Sequence, residues 1–95
     1  MVVRMAMTVV WLKIDEGRFV QALAEAREKL DSVEDELVLD FATVRRIDPS
    51  ALRGMEEFAR IADDKGVKVV LRGVNVDVYK VLKLVKLTSR FSFVS

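Results

Sequence analysis

At 95 residues, 52% of them hydrophobic and 33% charged, the chain is globular in composition and long enough for one core, so a single domain over residues 1–95 is expected. Its net charge of +1 points to no nucleic-acid partner. It has no cysteine and no histidine, which excludes disulfides, thiol chemistry, the usual Cys/His zinc site and the commonest general base. No apolar run reaches the roughly 18 residues of a membrane span. The first 13 residues lack a small-residue cleavage site and serve better as a strand, so a cytoplasmic location is the expectation.

Met5 to Ile14 reads as the first strand, with Thr8, Val10, Leu12 and Ile14 on one side and Val9, Trp11 and Lys13 on the other. Asp15-Glu16-Gly17 is a turn. A helix follows over about Arg18 to Leu30, its apolar stripe made of Phe19, Ala22, Leu23, Ala26 and Leu30. Asp31 to Asp35 is an acidic, solvated connection. Leu37 to Phe41 is an apolar run of strand length, interrupted by Asp40. The next apolar pattern is helical, with Leu52, Met55, Ala59 and Ala62 at spacings of three and four and Phe58 beside them.

A strong helix start lies between that strand and that helix. Asp48 suits the N-cap, Pro49 suits N1 because its φ is already helical and no N–H is needed, and Ser50 falls at N2. The Ser50 hydroxyl therefore sits at the positive end of a helix, where a negative charge is favoured. Gly66 should end this helix. Val67 to Arg72 is a third strand, with Val67, Val69 and Leu71 facing one way and Lys68 and Arg72 the other. Gly73 breaks it, Asn75 caps a last helix over about Val76 to Val85, and Phe91 to Val94 is a short final strand.

Alternation of strand and helix implies an α/β fold, a four-stranded, mainly parallel sheet with right-handed crossovers. With sequential strand order, all three helices fall on one face. Phe19, Leu23, Leu39, Leu52, Met55, Val69 and Leu82 are the predicted core.

The stretch Leu37-Val38-Leu39-Asp40-Phe41, then Ile47-Asp48-Pro49-Ser50-Ala51-Leu52, resembles the STAS domain family of bacterial anti-sigma factor antagonists. The segment from Gly73 to Leu87 is similar to that family's C-terminal part. The resemblance covers about Met5 to Val94 and implies the same architecture. It also implies that Ser50 is the phosphorylated serine and that Asp40, Asp48, Pro49, Ser50, Ala51 and Arg53 form the partner-binding surface. The sequence departs from the family pattern at three places. Pro49 replaces the first serine of a pair, and Ala51 and Arg53 replace glycines. Arg53 shares a helical face with Ser50 and would obstruct a kinase, pair with a phosphate or, like its neighbours in the preceding loop, be a solvated side chain. Arg45 and Arg46 add positive charge.

Other constellations are weaker. Lys80, Lys83 and Lys86, with Arg90 beyond, read as a solvated face that an acidic partner, phospholipid head groups or RNA would also suit. Asp40 and Asp48 lack a third ligand and a glycine-rich phosphate loop, so no metal and no cofactor is expected. No nucleophile with a base is found, and with the resemblance this implies a non-enzymatic regulatory domain, expected to be a monomer or weak homodimer. The resemblance makes it an antagonist that binds an anti-sigma factor with serine-kinase activity and is released by phosphorylation. A non-phosphorylated STAS scaffold in a signalling or phospholipid-transport complex is the alternative, and a small-ligand binder is a third class.

Overall fold

The computed structural model describes residues 9–95. Four strands, β1 (Val9–Lys13), β2 (Glu36–Asp40), β3 (Lys68–Arg72) and β4 (Ser92–Val94), alternate with three helices, α1 (Phe19–Lys29), α2 (Pro49–Lys65) and α3 (Val76–Leu84). The sheet order is β1-β2-β3-β4 and every neighbouring pair is parallel. The part of the first predicted strand over 5–8 lies outside the described residues.

Register explains the layering. Val10 lies opposite Leu37, which lies opposite Val69, and Leu12, Leu39, Leu71 and Phe93 form the next row. Because strand side chains alternate, these two rows share one face. They belong to one core with Phe19, Leu23 and Ala26 of α1, Met55, Phe58 and Ala62 of α2, and Val78 and Leu82 of α3. All three helices therefore pack on one side of the sheet, as the sequential order requires. Burying a side chain such as Leu39 or Leu71, both fully inaccessible, is worth about 2 kcal/mol. The opposite face, free of helices among the described residues, carries Trp11, Val38 and Val70 in one row and Lys13, Asp40 and Arg72 in the next.

Three details differ from the sequence expectation. Leu52 is only partly buried, and Ala51, 6% exposed, takes its place in the α2 stripe of Ala51, Met55, Phe58, Ala59 and Ala62. The rest of the stripe, Met55, Phe58, Ala59 and Ala62, is buried as expected, and Leu52 still packs against the core from its edge. Strand β3 starts at Lys68 rather than Val67, since the Val67 N–H is used to close α2 by donating to the Ala62 carbonyl at 3.0 Å. A 3₁₀ turn over Thr88–Arg90 precedes β4, which shortens the last strand to Ser92–Val94.

Gly73 has φ +73°, and a Cβ there would come within 3.2 Å of Ala42. A left-handed residue without a side chain is needed where the β3–α3 connection crosses the β2–α2 connection. That crossing brings together the loops at the carboxyl ends of the strands, the usual position of sites in parallel sheets.

Candidate functional site

The start of α2 is built by local chemistry. Asp48 is extended (φ −87°, ψ 171°) and its Oδ1 accepts the Ala51 N–H at 2.7 Å. Pro49 occupies the first helical position, where its missing N–H costs nothing. Ser50 follows, exposed, and its hydroxyl makes no hydrogen bond among the described residues. Two shallow hollows meet at it. One, of about 360 Å³, lies against the β1–α1 turn and is bordered by Glu16, Arg18, Gln21 and Asp48. The other runs between α1 and α2 over Phe19, Leu23, Ala51 and Gly54. Gly54 lets the helices approach, because a Cβ on it would meet Leu23 at 3.0 Å. Val20, 67% exposed, stands over both hollows.

The loop that leads to Ser50 is held from two sides. Glu16 Oε1 accepts the Arg45 N–H at 2.5 Å and the Arg46 N–H at 2.9 Å. These bonds to the Arg46 and then the Arg45 amide, helped by the two guanidinium charges, hold the Glu16 carboxyl below its ordinary pKa. On the other side, the Asn75 amide donates to the Val44 carbonyl at 3.2 Å and to the Arg45 carbonyl at 3.3 Å. The Asn75 carbonyl oxygen meanwhile caps α3 by accepting the Val78 N–H at 2.7 Å. One asparagine thus starts a helix and fixes the loop before Ser50.

The predicted site residues fall in three places. Asp48, Ser50 and Ala51 share the hollow beside the β1–α1 turn, and Pro49 is exposed next to them. The Ala51 side chain is buried and its N–H is taken by Asp48, so that residue forms the floor of the hollow rather than a contact surface. Arg53 does not border the Ser50 hollows; it lines a separate groove on the α3 side of α2. Asp40 lies at the end of β2 on the helix-free face. Its Oδ1 accepts the Ala42 N–H at 3.0 Å and the Arg72 Nη1 at 3.2 Å, and the Arg72 guanidinium lies 5.9 Å from the Trp11 ring centre.

Two residues of the site escaped the sequence reading in this role. Glu16 was a turn residue and Asn75 only a helix cap. Their loop partners lie 29 to 31 positions away, beyond the reach of any local pattern. Arg18 borders one of the hollows at Ser50, its Nε donating to Gln21 Oε1 at 2.7 Å, and Arg27 borders the other. No group of acidic residues that could hold a metal ion occurs among the described residues, and no described helix is long and apolar enough to cross a membrane.

Comparison with known families gives one finding. The model of the STAS domain matches residues 5–95. No curated protein and no solved structure gives a significant match.

Proposed function

The chain belongs to the STAS domain family, and we propose that it acts as an anti-sigma factor antagonist-like regulator switched by phosphorylation of Ser50. Family membership supports a protein-binding, signalling role. The observation that carries the finer reading is the Ser50 hydroxyl, exposed and without a hydrogen bond at the second position of a capped helix.

In this reading the unmodified protein, a single cytoplasmic domain without catalytic activity of its own, docks an anti-sigma factor that is also a serine kinase. The docking surface is Asp48, Pro49 and Ser50 with the neighbouring Arg18 and Val20. The kinase transfers the terminal phosphoryl group of ATP to Ser50 Oγ, with loss of the hydroxyl proton and release of ADP. The product carries about −1.5 to −2 charge at neutral pH. The helix N-terminus favours an anion by about 0.3–1 kcal/mol, and Arg18 is at hand. Asp48 and Glu16 border the same hollow and oppose the gain, although each already has an oxygen engaged by backbone N–H groups. The fold is therefore little disturbed, and the cost falls on the partner, which must desolvate or repel a dianion where it met a small hydroxyl.

The test pairs a thermal melt with a titration against the kinase partner. Ser50→Asp should leave Tm nearly unchanged and weaken binding by about tenfold or more. Ser50→Ala should bind as the unmodified protein does and not be released by ATP. Equal affinity of Ser50→Asp, phosphorylated and unmodified protein rejects the switch and favours a constitutive STAS scaffold.

A further inference from the structure

A second surface, separate from the Ser50 hollows, carries unpaired positive charge. An open groove of about 680 Å³ runs between α2 and the segment that follows α3. Two of its charges are already engaged, Arg90 by Asp63 and Glu57 by Arg27 at 3.2 Å. Arg53, Arg60 and Lys86 have no hydrogen bond or ion pair among the described residues, and they face the single remaining carboxylate of Glu56. Val85, 38% exposed, supplies an apolar wall.

Lys86 gives the second, independent observation. Helices α2 and α3 end in the same way. After α2, the Val67 N–H reaches back to the Ala62 carbonyl and Gly66 takes φ +69°. After α3, the Leu87 N–H reaches back to the Leu82 carbonyl at 2.8 Å and Lys86 takes φ +62°. This left-handed position strongly favours glycine, as at Gly66, and a lysine there strains the backbone. The residue in this position is a cation that lines the groove. Strained non-glycine residues concentrate at functional positions.

We propose that this groove docks an acidic segment of a partner protein, with carboxylates placed against Arg53, Arg60 and Lys86 and an apolar side chain against Val85. Two guanidinium groups among the three free cations suit carboxylates, which they grip with two parallel bonds. A bilayer fits less well. The groove is concave and contains Glu56, while Leu84, the most exposed large apolar side chain among the described residues at 81%, does not line it. Nucleic acid would need stacking partners, and no aromatic residue borders the groove. The proposal does not depend on phosphorylation of Ser50.

The experiment uses the full chain and a fluorescein-labelled peptide of alternating glutamate and leucine, with a glutamine-for-glutamate peptide and phosphatidylglycerol vesicles as controls. Lys86→Gly should raise Tm by about 4 °C and yet weaken peptide binding about two- to fivefold. Arg60→Gln should weaken binding similarly without raising Tm, and Lys83→Gln, outside the groove, should do neither. A more stable Lys86→Gly with undiminished binding overturns the proposal, as does a Lys86→Gly that is no more stable. Equal losses from Lys83→Gln and Arg60→Gln would reveal unspecific attraction and also reject it. Vesicle binding through Lys86 and Arg60 without peptide binding would replace the partner protein by a membrane.

Discussion

Glu16 gathers the donors of two consecutive amides onto one carboxylate oxygen, and in doing so ties the β1–α1 turn to the loop that presents Ser50. Its folded pKa is lowered, chiefly by the Arg46 and Arg45 N–H bonds. A lowered folded value means that the contribution to stability is complete above the unfolded pKa of about 4.3 and is lost as pH falls through the folded one. Glu16→Gln keeps the shape and removes the titration. The Tm difference between the parent and this variant should be largest near neutral pH and close as the pH drops into the acid range. A gap of constant size across that range would show that the carboxylate charge is not what holds the loop. At this scale the sequence spoke clearly for Asp48, Pro49 and Ser50, because capping chemistry is confined to four successive residues. It was silent on Glu16, whose partners are set only by the fold.

At the scale of the element, α2 is the component that both closes the core and displays the site. Its first turn rests on one side-chain bond, Asp48 to the Ala51 N–H at 2.7 Å. Asp48→Ala should cost about 1 kcal/mol, within the usual range for a lost N-cap, and lower Tm by about 4–8 °C. Asp48→Asn keeps an acceptor and should stay near the parent value. A melt in which the two variants fall equally would locate the loss in the charge of Asp48 rather than in the cap. The same helix shows where pattern reading ends. Periodicity placed Met55, Phe58, Ala59 and Ala62 as observed, but at the head of the stripe Ala51 is buried and Leu52 lies at the edge. Two apolar residues in succession at the start of a stripe are not told apart by spacing alone.

The whole molecule stands on its central strands, which pair on both sides and carry the fully inaccessible Leu37, Leu39 and Leu71. Leu39→Ala opens a cavity under all three helices and should cost about 2–5 kcal/mol. Against a total stability of about 5–15 kcal/mol, this is a large share. The urea midpoint should fall steeply with the slope unchanged, and a midpoint near the parent value would mean that the core collapses to fill the space. The other face of the sheet has a different character. Glu36 pairs there with Lys68 at 3.9 Å, Asp40 with Arg72 at 3.2 Å, and Trp11 remains 58% exposed. Surface ion pairs of this kind contribute little to stability, and the buried residues of this face, among those described, are Val38 and Val70.

The alternation of strands and helices, the sequential βα order, the two cap residues and the glycine end of α2 were all legible in the sequence, because each depends on residues within a turn or two of one another. The STAS resemblance was legible for the same reason, carried as it is by a contiguous strand, loop and helix start. The tertiary structure alone decided that Asp40 turns to Arg72 on the face away from the helices, that Arg53 belongs to a groove shared with Lys86, and that Arg18 shares a hollow with Ser50. It also decided that Glu16 and Asn75 grip the loop before Ser50 from opposite sides. These contacts join segments about thirty positions apart, and a parallel sheet sets them through its register, which no local pattern of residues encodes.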